Sequence, residues 1–130
     1  MLAVDTNVVV RFVTRDDAEQ ARRADQLFRG SRIWIAKTVL LETEWVLRRR
    51  YLLGTTTIEH AFRGLGGVPS VDLEDAPAVA QALDWFTAGM DFADALHLAS
   101  SGGAARFATF DKKLAATAKR LGTTQVIAVP

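Results

Sequence analysis

The hydrophobic pattern begins with a sharp break. Leu2-Ala3-Val4 is apolar, Asp5-Thr6-Asn7 is polar, and Val8-Val9-Val10 resumes the apolar run. A short apolar run closed by a carboxylate predicts a buried strand over residues 2–4. Asp5 would then stand at the carboxyl lip of a sheet, where open α/β folds place their ligands. Periodicity next predicts a helix over residues 16–29, capped by Asp16 or Asp17 and stopped by Gly30. Ile33-Trp34-Ile35 reads as a second strand. Thr38 is the expected cap of a helix through residue 50, whose Arg48-Arg49-Arg50 end suits the helix macrodipole.

Thr56-x-x-Glu59 has the form of a capping box for a short helix that dies in Gly64-Leu65-Gly66-Gly67. Val71-Asp72-Leu73 reads as a third strand, and Asp75 as the cap of a helix with Pro77 in its first turn, ending near Gly89. Asp91 opens a helix over residues 92–101, stopped by Gly102-Gly103. A fourth strand is expected at residues 106–110, a helix from Asp111 to Leu121, and a final strand at residues 125–129. Strands separated by helix-length connections imply a parallel sheet with helices on its faces. The expectation is one α/β domain over residues 1–130, without repeats or a linker.

Composition narrows the chemistry. Cysteine is absent, which excludes disulfides, zinc–thiolate sites and thiol nucleophiles. With 16 Lys and Arg against 15 Asp and Glu, the net charge of +1 neither announces nor excludes a nucleic-acid partner. The start lacks a signal-peptide pattern, and no apolar run approaches the roughly 18 residues of a membrane span. A cytoplasmic protein without a membrane partner is expected.

Four acids stand where surface solubility does not require them. Asp5 ends the first strand, and Asp111 directly follows the fourth in Thr109-Phe110-Asp111. Glu42 is flanked by Leu40, Leu41, Trp45 and Val46, which places it in or beside a buried surface. Asp94 lies one turn into a helix among Phe92, Ala93, Ala95 and Leu96. Each has an ordinary reading: Asp111 as an N-cap, Asp94 as first-turn charge, Asp5 as an Asx turn, Glu42 as an ion-pair member. Together they are harder to dismiss. Two carboxylates about 4 Å apart repel by roughly 4 kcal/mol at an effective dielectric of about 20. Four converging at one lip would protonate in part or gather around a cation. Oxygen donors without His or Cys suit Mg²⁺, with Mn²⁺ as a substitute. The matching chemistry is metal-assisted phosphodiester hydrolysis. His97 reads as a packed or partner-bonded helix residue, and Trp34 and Trp45 as core.

These same residues carry a resemblance. Residues 1–11, opening on Leu2-Ala3-Val4-Asp5-Thr6-Asn7, look like the start of a PIN domain. Glu42 in Leu41-Glu42-Thr43-Glu44 resembles that family's second acidic motif, Asp94 in Phe92-Ala93-Asp94-Ala95 its third, and Asp111 in Thr109-Phe110-Asp111 its fourth. The order, spacing and near-complete coverage resemble the VapC-type toxins of toxin–antitoxin pairs. The resemblance implies a Mg²⁺-dependent endoribonuclease with a three-layer α/β/α fold and a mainly parallel five-stranded sheet. It implies Asp5, Glu42, Asp94 and Asp111 as metal-site acids, with Thr6, Asn7 and Thr109 in support. Asp91 either caps its helix or positions an outer-shell water. The implied partners are an RNA substrate, a second copy of the chain in a homodimer, and a cognate VapB-type antitoxin. Arg11, Arg15 and the Arg48–Arg50 turn are candidate phosphate contacts, although a solvated helix end is the favoured reading of the triplet.

An aspartyl-phosphate phosphohydrolase also opens with an Asp after a strand, but commonly needs a second acid two residues on, where this chain has Asn7. A phosphate-accepting receiver domain is another reading, but the activating Lys it would need after a late strand is not evident in this chain. A non-catalytic PIN-like module that binds RNA or protein is the alternative function.

Overall fold

The computed structural model describes residues 1–123 and 125–130 as two compact units, Met1–Ala76 and Pro77–Pro130. In the first, β1(Leu2–Ala3), α1(Thr6–Thr14), α2(Ala18–Gly30), β2(Ile33–Ile35), α3(Lys37–Arg49), α4(Thr55–Gly67) and β3(Val71–Leu73) follow in order. The three strands are parallel in the order β1-β2-β3, with Leu2 opposite Ile33 and Ile33 opposite Val71. Helix α5(Ala76–Thr87) starts at the division between the units. The second unit continues with α6(Phe92–Ala99), β4(Phe107–Thr109), α7(Lys112–Arg120) and β5(Val126–Ala128). Strands β4 and β5 pair in parallel, Phe107 opposite Val126.

The α/β class and the parallel strands follow from helix-length connections, since a parallel neighbour cannot be reached by a tight turn. The hydrogen-bonded ladders are three strands plus two, rather than one ladder of five. Ile33, Ile35, Leu40, Leu47, Ile58 and Phe62 are fully buried in the first unit. Each such side chain contributes about 1.5–3 kcal/mol through removal from water. In the second unit, Phe86 meets Phe92 edge-on with ring centroids 5.3 Å apart.

Several sequence expectations require correction. Strand β1 is exposed rather than buried, being the edge strand of its ladder, paired with β2 alone among the described residues. Helix α1 fills a stretch to which periodicity assigns no element. Its Val- and Thr-rich sequence is a poor helix former, and packing of α1 against α2 and α3, with Val9 and Val10 buried, overrides that preference. Thr38 does not cap α3. The N-cap lies two residues earlier at Ala36, which makes no side-chain cap hydrogen bond, and Glu74 supplies the missing acceptor to the Lys37 N–H at 2.8 Å.

Thr56 does not form a capping box either: α4 starts from Gly54, and Glu59 turns to Arg63 one helical turn on. Asp75 precedes α5 in a left-handed conformation (φ 53°), unlike the extended backbone of an N-cap, and its carboxylate faces Lys37 Nζ at 3.3 Å. Of the two cap candidates for α2, Asp17 takes the role, accepting from the Gln20 N–H at 2.9 Å.

Candidate functional site

The turns that carry Asp5 and Asp111 share one design. In each, a strand ends, a single residue intervenes, and an Asp becomes the N-cap of the next helix. Asp5 accepts from the Val8 N–H at 3.2 Å. Asp111 accepts from Lys113 and Leu114 N–H groups at 2.9 and 3.1 Å, while its own N–H donates to Thr109 Oγ1 at 3.0 Å. Both carboxylates therefore sit at the positive end of a helix, past the carboxyl end of a parallel strand. The capping reading of Asp111 is correct as local structure.

In the first unit, Thr6 directly follows Asp5 and donates its hydroxyl to Glu42 Oε1. That bond ties α3 to the turn that carries Asp5. Glu42 is exposed, contrary to the expectation of a buried acid. The inward stripe of α3 is Leu40, Thr43, Glu44 and Leu47, and Glu42 falls off it. The buried acid of α3 is instead Glu44, 2% exposed and ion-paired with Arg48 at 2.8 Å. Apolar neighbours in sequence do not bury a helical residue when its own angle points outward. Trp45, expected in the core, is 47% exposed for the same reason.

In the second unit, Asp91 caps α6 by accepting from the Asp94 N–H at 3.2 Å. Asp91, Asp94 and Asp111 line one cleft of about 260 Å³, together with Lys113. Partial burial raises the Asp94 carboxyl above its ordinary range, and the charges of Asp91 and Asp111 raise it further, against a smaller opposing effect of His97. Here the ordinary reading of Asp94 as charge for a helix dipole is incomplete, because its neighbours are acids. Lys113 was not singled out in the sequence. Its signal is its position two residues past Asp111, on the first turn of α7.

Asn7 is exposed and its amide makes no hydrogen bond among the described residues. Arg11 donates to Gln20 at 2.6 Å, to Asp16 at 2.8 Å and to Tyr51 at 3.2 Å. Arg15 makes a bidentate pair with Asp25 at 2.7 and 2.8 Å. Each arginine must exchange or share an acidic partner to reach a phosphate. Arg48 is held by Glu44, whereas Arg49 and Arg50 are exposed at the helix end.

Among the described residues, no three His, Asp or Glu side chains close into a ready-made metal cage. The donor chemistry nevertheless fits a hard cation. The oxygen-bearing side chains of the second unit's cleft are Asp91, Asp94, Asp111 and Thr117, and Asp94 is raised by burial and then by acids whose charge a cation would neutralise. Mg²⁺ is commonly held by one or two carboxylates, waters and substrate phosphates rather than by a complete protein cage. Among the described residues no helix is long and apolar enough to cross a membrane.

No curated protein matches the chain. The PIN domain family model matches residues 2–120, and the chain belongs to the PIN domain family.

Proposed function

We propose that this protein is a Mg²⁺-dependent endoribonuclease, the toxin of a VapC-type toxin–antitoxin pair. The observation that carries the reading is the cleft that Asp91, Asp94 and Asp111 line together, where burial first, and then the charges of Asp91 and Asp111, raise the Asp94 carboxyl. Family membership supports it, since PIN domains are generally metal-dependent nucleases. Asp5, Glu42, Asp94 and Asp111 are the proposed metal-site acids, with Thr6, Asn7, Asp91 and Thr109 in support. A single PIN domain over residues 1–130 is part of this reading, supported by a family match over residues 2–120.

Bound Mg²⁺ would activate the attacking water and neutralise charge developing on the phosphate oxygens. The residues of the chain do the positioning. Asp111 is fixed by two backbone N–H groups, so its carboxylate needs little reorganisation on binding. Thr6 orients Glu42 through its hydroxyl. Lys113 provides a cation in the same cleft as the acids, suited to phosphate. A homodimer, a cytoplasmic setting and a VapB-type antitoxin as inhibitor complete the proposal.

The test is incubation of purified, antitoxin-free protein with structured RNAs, in Mg²⁺ or in EDTA. Cleavage that requires Mg²⁺ and disappears in Asp94→Asn is expected. EDTA-insensitive cleavage would overturn the metal mechanism. RNA binding without cleavage would assign the chain to a non-catalytic binding role.

A further inference from the structure

Helices α1 and α2 enclose a second concavity, a groove of about 460 Å³ that includes Asp5 in its wall. Its lining obeys helical spacing on both sides. Asn7, Val8 and Arg11 share a face of α1; Gln20, Arg23, Ala24 and Leu27 recur on α2 at offsets of three, four and seven. The floor is apolar, supplied by Val8, Ala24 and Leu27, and the rest of the wall is the Asp5 carboxylate, the amides of Asn7 and Gln20 and the guanidinium groups of Arg11 and Arg23.

The polar groups are unequally committed. Arg11 is locked across the groove, its Nε donating to Gln20 Oε1, so Gln20 is oriented and keeps its amide N–H groups for another acceptor. The side chains of Asn7 and Arg23 make no hydrogen bond among the described residues, although Arg23 feels the charge of Glu19. An apolar floor, two amides able to donate, an amide oxygen and an arginine form the complement of a single nucleotide. Bases present flat faces and donor–acceptor edges, and the backbone presents phosphate. The volume falls within the range of about 300–1,000 Å³ for small-ligand sites, too little for a duplex.

We infer that the α1–α2 groove is a ribonucleotide subsite for single-stranded RNA. It receives the nucleotide beside the phosphate that is cleaved next to Asp5. Gln20 and Asn7 meet the base edge, and Arg23 meets the backbone phosphate. The place of the cleaved bond rests on the proposed nuclease function, whereas nucleotide binding in the groove does not.

Arg23→Ala and Gln20→Leu test it, with Arg22→Ala as control, since Arg22 is paired with Glu19 outside the groove lining. In Mg²⁺, Arg23→Ala is expected to raise KM about 5- to 20-fold with little change in kcat, the size of one charged hydrogen bond. Gln20→Leu is expected to relax base preference at one position adjoining the cut. KM and cut-site preference equal to those of the Arg22→Ala control would overturn the inference and leave the nuclease reading standing. In EDTA, the four ribonucleoside 5′-monophosphates are titrated while backbone amide NMR shifts are followed. Shifts confined to α1 and α2 and lost in Arg23→Ala would support the subsite even if no RNA is cut. Absence of such shifts, or variants that change only the oligomeric state, would overturn it.

Discussion

The Asp5 and Asp111 turns are built alike, yet their surroundings differ. Beside Asp5, the neighbouring acid Glu42 receives a hydroxyl donor from Thr6. Near Asp111, Asp94 has acids for neighbours and accepts no side-chain hydrogen bond among the described residues. The same strand–Asp–helix turn therefore serves a satisfied arrangement in one unit and an electrostatically unbalanced one in the other. Capping is a local requirement that any Asp or Asn meets. Unbalanced charge has no local benefit, which makes the second unit the stronger sign of a ligand.

The largest expected effect tests whether that imbalance is functional. Asp94→Asn should lower Mg²⁺-dependent RNA cleavage by about 100-fold or more, consistent with loss of several kcal/mol of charge stabilisation. Initial rates with a labelled RNA measure it, and undiminished cleavage would end the assignment of Asp94.

A second prediction separates capping from charge in both turns. Asn caps as well as Asp, whereas Ala does not. Asp5→Ala and Asp111→Ala should each lose about 1 kcal/mol of stability by urea unfolding, while both Asn variants stay near the parent. Cleavage should fall in all four. If the Asn variants cut RNA normally, the two carboxylates are caps and nothing more.

Thr6→Val addresses the first unit alone. It removes the donor to Glu42 at nearly constant shape, and cleavage should fall roughly fivefold, about 1 kcal/mol in transition-state terms. The melting temperature should change little, because Glu42 is exposed and water can replace the hydroxyl.

In metal-free buffer at neutral pH, Asp94→Asn should raise the melting temperature slightly. Relief of repulsion at this solvated site is worth on the order of 0.5 kcal/mol after screening, or about 1–3 °C for a chain of this size. Differential scanning calorimetry resolves it, and a decrease would mean that the carboxylate is stabilised by something other than its acidic neighbours.

The smallest effect concerns Asp16, whose hydrogen bonds from Tyr51 and Arg11 lower its pKa from 3.8 to about 2. A depressed native pKa gives stability that is present above the unfolded value and is lost as pH falls through the folded one. The melting-temperature difference between the parent and Asp16→Asn should be nearly constant from pH 7 to about 4, shrink as pH falls through about 2 and vanish below it. A difference that stays undiminished as pH falls through about 2 would show that the charge of Asp16 is not what its partners hold.

The strands at residues 33–35, 71–73 and 107–109 were legible because alternation and punctuation are local signals. The caps Asp17, Asp91 and Asp111 were legible too, because a cap acts over three residues. Thr38, Thr56 and Asp75 had the same local credentials and failed. The acceptor for α3 arrives from Glu74, far along the chain, and Glu59 is drawn to Arg63. Glu42 and Trp45 were misplaced because burial depends on helical angle and on what packs against each face. Gln20 and Arg23 gave no signal at all, since a groove between α1 and α2 exists only after α1 forms.

By itself, then, the sequence determined the parallel α/β class, the four acids in order and the family to which they belong. All of these depend on residue type and short-range spacing. Tertiary structure decided the division of the strands into three and two, the exposure of β1 and Glu42, and the company each carboxylate keeps. Those follow from contacts between segments remote in the chain, whose geometry no local pattern encodes.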